Sequence, residues 1–307
     1  MSTPAVLGLD VGGSSVKSLL ALADSSLSSP PEILSRARTI TPLADPVDGL
    51  VEIAQSVPQQ HPVSRVVVSI PGIVDETRGV VVRSANIPAL DGCPLAERLG
   101  ARLGVPVSVI NDGHAAAVAE AAWGAGAGSD DSFVLALGTG IAGAHVVDGE
   151  VVPGAHGSAG ELGHITIDPA GAVCSCGRHG CLETIIGAPA LSAAWNTAGG
   201  SGGPETLLPA YADGDPRAVP VVQRAASALA EALLTLCALV DPGRIVIGGG
   251  IAREPHDLVL LAAQYARQRA TFHHVPPIVP ATLGEWAGAN GAVRIGMQHE
   301  RLATAAR

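Results

Sequence analysis

Residues 134–145 read VLALGTGIAGAH, and whether a helix or a strand follows their glycines decides the fold. Gly138, Gly140 and Gly143 have the spacing of the dinucleotide-binding fingerprint, and Glu161 stands near the place of a ribose-binding acid. That fingerprint requires a strand before the glycines and a helix after them, because the helix N-terminus faces the pyrophosphate. The strand is present as the apolar run Phe133-Val134-Leu135-Ala136-Leu137. The helix is not: Ala144-His145-Val146-Val147, Asp148-Gly149 and Glu150-Val151-Val152 read as strand, tight turn, strand. The stretch is therefore a glycine hairpin. Its backbone N–H groups can still hold a phosphate, but not through a helix end. A nicotinamide or flavin enzyme is set aside on this ground.

The same pattern opens the chain. Val6-Leu7-Gly8-Leu9-Asp10-Val11 is a strand, Gly12-Gly13-Ser14-Ser15 its turn, and Val16 to Ala23 the returning strand. Strands are expected also at Ile33 to Ile40, Arg65 to Ile70, Gly79 to Val82 and Val105 to Ile110, the last running into Asn111-Asp112 and an Ala-rich helix to Trp123. Asp24 to Pro31 reads as a hairpin tip. Pro46 to Val57 and Pro94 to Leu103 have helical period, the latter with Pro at its first turn and Gly104 after its end. In the second half, residues 164–182 are loop-like and Asn196 to Pro204 is a Gly/Ser-rich mobile piece. Helices are expected from Arg217 to Val240, Pro255 to Ala270 and Ala289 to Leu302, and strands at Arg244 to Ile247 and Ile278-Val279. Two α/β halves, each opening on a glycine hairpin, suggest two domains with a nucleotide bridging a cleft.

Composition narrows the function. The 307 residues are long enough for two cores, and with only 2% aromatic residues those cores must be filled by Ala, Val, Leu and Ile. The net charge of −10 and the lack of a Lys/Arg cluster argue against nucleic-acid binding along phosphates. No apolar run reads as a membrane span and no N-terminal signal is seen, which gives the expectation of a cytoplasmic protein without membrane partners. Three of five cysteines lie between positions 174 and 181, a clustering that suggests metal rather than disulfides.

Six constellations carry chemistry. Asp10, at a strand end beside Gly12 and Gly13, can hold hydrated Mg²⁺ next to phosphate, or can simply cap a turn. Gly138-Thr139-Gly140 is the second phosphate loop, or a plain hairpin turn. Gly248-Gly249-Gly250 offers a bare surface for a base or ribose, or a tight turn. Asn111-Asp112 leads a helix: capping is one reading, and the other is a general base that accepts a hydroxyl proton as the bond to phosphorus forms. His164, Cys174, Cys176 and Cys181 make a closed one-imidazole, three-thiolate set for tetrahedral zinc, with His179 as a competing ligand. Glu161 and Glu183 flank that loop and can accept hydrogen bonds from adjacent sugar hydroxyls; alternatively Glu183 caps the next helix and Glu161 is solvated. Cys93 and Cys237 read as lone buried thiols.

Together, LGLDVGGSSVK (7–17), VINDGHAAAVAEAAWGAG (109–126), LALGTGIAGAHVVDGEVVPGAHGSAGELGHITIDP (135–169), CSCGRHGCLE (174–183) and IVIGGG (245–250) resemble the ROK family of sugar kinases and sugar-responsive repressors, in its zinc-containing branch. The resemblance implies an actin-like (ribonuclease H-like) ATPase fold, two α/β domains around a central cleft, in dimers or tetramers. We expect residues 1–111 with about 290–307 in the smaller domain, and 112–289, with the zinc loop 164–181, in the larger. It implies an ATP-dependent kinase acting on a hexose, first of all glucose at O6, with Mg²⁺ and a structural zinc. Asp10, Gly12, Gly13, Ser14 and Lys17 match the first phosphate motif; Gly138, Thr139 and Gly140 the second; Gly248, Gly249 and Gly250 the adenosine end. Asp112 matches the catalytic base, and Asn86, Asn111, Asp112, Glu161, His164 and Glu183 match sugar-binding positions.

Three departures stand out. The family often shows Asn-Asp-Ala-Asn where this chain has Asn111-Asp112-Gly113-His114, and the His is larger and titratable. Ala89-Leu90 replace a Gly-Trp usual in glucose kinases, so the pocket rim should differ; both changes leave fructose, mannose and N-acetylhexosamines as alternatives. Ser14 stands for a more usual Thr. The family's repressors place a DNA-binding helical domain before the Asp-Gly-Gly strand, and here that strand follows almost at once. Polyphosphate-using relatives tend to lack the zinc cysteines. A non-DNA-binding sugar sensor is the remaining rival.

Overall fold

The computed structural model describes residues 3–23, 26–58, 60–84, 86–155, 159–253 and 257–305. In chain order the elements are β1 (Ala5–Val11), β2 (Ser15–Leu22), β3 (Ile33–Ile40), α1 (Pro46–Gln55), β4 (Val63–Ile70), β5 (Ile73–Asp75), β6 (Val80–Arg83), α2 (Leu95–Leu103), β7 (Val107–Asn111) and α3 (Asp112–Trp123). Then follow β8 (Asp131–Leu137), β9 (Ile141–Val147), β10 (Glu150–Val151), α4 (Glu183–Ile186), α5 (Ala188–Thr197), α6 (Pro204–Ala212), α7 (Ala218–Leu239), β11 (Arg244–Gly248), α8 (Asp257–Arg269), β12 (Ile278–Pro280) and α9 (Ala287–Ala305). They form two compact units, 1–123 with 285–307, and 124–284.

The first unit is built on the sheet β3-β2-β1-β4-β7, antiparallel from β3 to β1 and parallel from β1 to β7. Strand alternation sorts its side chains onto two faces. Leu7, Leu9, Val66, Val68 and Ile70 join Leu50, Val51, Leu95 and Leu99 of α1 and α2 in one core. Val6 and Leu19 join Ala289, Val293 and Met297 of α9 in another, with Val67, Ala115 and Ala292 beside it. The α3–α9 contact is close because Gly291 has no side chain: a Cβ there would collide with the Ala115 carbonyl. That contact moves the unit boundary. The expected break at 111/112 and the expected return near 290 are replaced by breaks after Trp123 and before Glu285, because α3 packs on α9.

The second unit repeats the topology as β10-β9-β8-β11-β12, with the same change from antiparallel to parallel at the central strand. β9 follows the glycines of 138–140, as the hairpin reading requires. Phe133, Leu135, Leu137, Ile245 and Ile247 pack with the apolar faces of α7 and α8. α7 corrects one expectation. Its 22 residues are long and apolar enough to cross a membrane by length and composition. Its Val222, Leu229, Leu233 and Leu236 are instead core residues of this unit.

Three further expectations change in detail. β5 was not foreseen, since three residues are too few to show a period. The Gly/Ser-rich segment read as mobile is tied down: Gly200 lies under the Trp195 ring, where a Cβ would collide, and the Trp195 indole N–H donates to the Ser201 carbonyl at 3.2 Å. It sits between α5 and α6, neither of which was foreseen; α6 is disguised by Pro204 at its first turn and Pro209 within it. The expected start of α8 at Pro255, the residues 24–25 of the first hairpin tip and residues 156–158 of the long family motif lie outside the described residues.

Candidate functional site

In the first unit the chemistry gathers at the C-terminal ends of β1, β4 and β7. Asp10 is the next-to-last residue of β1 and pairs in register with Lys17 on β2. The Lys17 ammonium is 3.0 Å from Asp10 Oδ2, and the Ser69 hydroxyl donates to Oδ1 at 3.0 Å. Gly288, in the first turn of α9, leaves room for this carboxylate: a Cβ there would lie 2.5 Å from Asp10 Oδ1. Gly288→Ala is therefore expected to displace Asp10. If Asp10 holds Mg²⁺ as the sequence reading expects, the variant should raise the Mg²⁺ concentration needed for half-maximal turnover several-fold while the thermal midpoint changes little; a midpoint that falls with an unchanged Mg²⁺ requirement would refute that expectation.

The first glycine turn is held from the neighbouring loop. Thr41 donates its hydroxyl to the Gly12 carbonyl at 2.6 Å and its N–H to the Ser14 carbonyl at 3.2 Å. Gly13 approaches Asn86, where an added Cβ would meet the Asn86 Cβ at 3.4 Å, so Asn86 and the turn are neighbours. Asn86 is exposed, while Ile87 beside it is buried. The Ala89-Leu90 departure resolves into two roles. Ala89 is exposed on a single 3-10 turn, and Leu90 points into the core.

The Asn111-Asp112 pair divides its labour. Asn111 is the cap: its Oδ1 accepts from the His114 N–H at 3.1 Å, and its Nδ2 donates to the Gly72 carbonyl at 2.9 Å. Asp112 is not needed for capping. Its Oδ1 accepts the local Gly113 N–H, at 2.9 Å. Burial raises the Asp112 pKa above the usual carboxylate range; the Gly113 hydrogen bond opposes this, the negative charge of Asp10 adds to it, and His114 opposes it again. A half-buried carboxylate with a raised pKa, beside a second carboxylate, is suited to accept a proton.

In the second unit one depression of about 400 Å³ is lined by Gly138, Gly140, Glu161, His164, Glu183 and Gly249 among others. The glycines have different reasons. Gly249 has φ +93° and crosses close to Leu137, where any side chain would collide; Gly250 faces open space. Glu183 is the first residue of α4, yet it caps nothing there. Its Oε2 accepts the Ile141 N–H at 3.1 Å and so ties the cysteine-bearing segment to the second glycine turn. Glu161 is exposed, with its Oε2 3.8 Å from His164 Nε2.

The ligand atoms of His164, Cys174, Cys176 and Cys181 lie within 4.8 Å of one another. Cys176 and Cys181 sulfurs are 3.7 Å apart, close to the separation of about 3.8 Å that tetrahedral zinc with bonds of about 2.3 Å imposes. His164 Nδ1 is 3.5 Å from Cys174 Sγ, so its other nitrogen is the one facing Glu161 and the depression. Backbone donation from Cys176 lowers the Cys174 pKa to about 6, whereas burial, helped by the neighbouring thiols, pushes Cys181 up to about 12. Three sulfurs this close are compatible as thiolates only around a cation, so the residue set fits zinc. His179 is not part of it; its Nδ1 lies 3.3 Å from the Gly171 carbonyl. Cys93 and Cys237 are buried away from this cluster.

Sequence reasoning missed Ser69, Glu76 and Gly288. A lone hydroxyl inside the apolar run Val66 to Ile70, fully buried, was a readable signal for Ser69. Nothing marks Glu76 or Gly288, whose roles arise from chain segments far apart in sequence.

Similar proteins include two sugar kinases, a hexokinase and a transcriptional regulator. A glucokinase of Thermotoga maritima is 35% identical over 198 residues, spanning 60% of this chain and 62% of that protein. An N-acetylmannosamine kinase of Escherichia coli O157:H7 is 31% identical over 268 residues, 87% of this chain and 90% of that one. Among solved structures, a ROK hexokinase from Thermus thermophilus superposes with a TM-score of 0.86 at 31% identity, covering 97% of this chain and 99% of that one. A ROK family transcriptional regulator, a homologue of the E. coli MLC protein, superposes with a TM-score of 0.85 at 26% identity, covering 98% of this chain and 80% of that one. The repeated sheet is that of the actin-like ATPase fold. With the family model matching residues 6–299 from the first strand to the last helix, the chain belongs to the ROK family.

Proposed function

We propose that this protein is an ATP-dependent sugar kinase acting on a hexose hydroxyl, with glucose at O6 as the first candidate. The observation that carries the reading is Asp112: a half-buried carboxylate with a raised pKa, free of capping duty, at the head of α3. A sugar hydroxyl is a poor nucleophile until its proton is accepted. In this reading the hydroxyl oxygen attacks the γ-phosphorus in line, its proton passes to Asp112, and the bond to the ADP oxygen breaks.

Other residues bind and orient. Asn86, Asn111, Glu161, His164 and Glu183 hold the sugar hydroxyls, Asn111 with the capacity that capping leaves. Gly12, Gly13, Ser14 and Lys17 take donor phosphates, as do Gly138, Thr139 and Gly140, and Gly248, Gly249 and Gly250 receive the adenosine. Bound Mg²⁺, held through Asp10, would neutralise triphosphate charge. Zinc on His164, Cys174, Cys176 and Cys181 would be structural, its four protein ligands leaving no open position for water. It would fix the His164 ring so that Nε2–H is presented towards Glu161 and the sugar.

A coupled ADP-release assay over glucose, fructose, mannose and N-acetylhexosamines, with ATP or polyphosphate as donor, tests the reading. Glucose with ATP is expected to give the highest kcat/KM. An N-acetylhexosamine as best substrate would revise the sugar, an outcome the N-acetylmannosamine kinase relative makes specific. Similarity to the regulator favours a second reading, a sugar sensor. No ADP release from any sugar, together with sugar binding seen by calorimetry, would support it instead.

A further inference from the structure

The hairpin β5–β6 sits against the β7–α3 corner, and three hydrogen bonds run between them. Two end on one atom: Glu76 Oε1, in the turn after β5, accepts the Asn111 N–H at 3.0 Å and lies 2.8 Å from His114 Nδ1. The third is the Asn111 amide on the Gly72 carbonyl. β7 is the edge strand of its sheet, so the outward N–H of Asn111 has no strand to pair with, and Glu76 takes it. A carboxylate acceptor at Nδ1 also places the imidazole proton on that nitrogen. Asp112 lies between the two residues that Glu76 holds.

We propose that Glu76 and His114 form a clamp that positions Asp112, with Glu76 gripping the residue before it and the ring after it. Both are positioning residues and neither touches the reacting atoms; the role rests on the kinase reading above. Displacing a reacting group by about 1 Å can cost on the order of 10²-fold in rate, so a clamp on both flanks of a base is consequential. The clamp also explains why a histidine is acceptable where the family often has asparagine. The carboxamide nitrogen of an Asn stands the same number of bonds from Cα as Nδ1 does, so either can donate to Glu76.

Steady-state kinetics on the full chain test this. Glu76→Ala and His114→Ala are each expected to lower kcat about 10- to 100-fold, with the KM for ATP within about twofold of wild type. The double variant should fall no further than the worse single, since both act through one link. His114→Asn should recover most of the loss, and Glu76→Gln part of it, because its carboxamide oxygen still accepts the Asn111 N–H. Nitrogen-15 spectra of the imidazole should show the proton on Nδ1 in the wild type and a tautomer mixture in Glu76→Ala. Wild-type kcat in Glu76→Ala, or a His114→Asn variant as slow as His114→Ala, overturns the clamp and leaves the kinase reading intact. A wild type that turns over no hexose overturns both.

Discussion

Asp112→Asn should lower kcat by about 10²- to 10⁴-fold with sugar affinity nearly unchanged. The amide keeps the shape of the carboxylate and its hydrogen bond from the Gly113 N–H, but it accepts no proton from a hydroxyl. Sugar binding read by calorimetry, beside turnover, separates the two effects; near-normal turnover would remove Asp112 from the chemistry. The same raised pKa sets the pH behaviour. A base at Asp112 would work ionised, so kcat/KM should fall as pH drops through a value above the ordinary carboxylate range. For stability the sign is opposite. Burial and the neighbouring Asp10 make the charged form unfavourable in the fold, so Asp112 withdraws stability as pH rises through its folded pKa. The Asn variant is accordingly expected to melt no lower than wild type at neutral pH, and a lower melting temperature would contradict the burial argument. Loss of rate with no loss of stability is what distinguishes a base from a cap.

Removing zinc should have the other large effect. Cys181→Ser, or treatment with a strong chelator, is expected to take zinc content from one per chain to near zero. If free zinc exceeds its dissociation constant about a thousandfold, the lost linkage is about 4 kcal/mol. For a unit of this size that is a fall of roughly 8–16 °C in its melting temperature. The path to function is short. Cys181 lies two residues before Glu183, whose carboxylate holds the Ile141 N–H, and His164 carries Nε2 towards Glu161. If zinc fills this cluster and these groups hold the sugar as proposed, its removal frees their orientation, so the sugar KM should rise at least about tenfold, while the ATP KM moves less. A chelated protein with unchanged sugar KM would confine zinc to stability. Metal content measured by mass spectrometry in the same sample guards against incomplete removal.

Much of this was legible without coordinates. The runs ending in Gly12-Gly13 and in Gly138 to Gly140 announce strand and turn by a short apolar stretch and by glycine, both local properties of the chain. Cys-x-Cys-x4-Cys with an upstream histidine announces a closed ligand set, because metal coordination restricts residue type and number so narrowly. The long helix at Ala218–Leu239 was equally visible, although its apolar length alone does not distinguish a core helix from a membrane span.

What the residues determined by themselves was the set of local elements and the kinds of chemistry, since backbone preference, side-chain period and ligand count act over a few neighbouring positions. Only the folded chain decided which unit owns α3, through Gly291 against Ala115, and which groups hold Asp10, through Ser69 and Gly288. It also decided that Asn111 caps while Asp112 does not, and that Glu76 meets both the Asn111 N–H and the His114 ring. Apart from the local Asn111 cap, each of these joins residues distant in sequence, and such contacts are selected by packing of whole elements, which no short stretch of chain encodes.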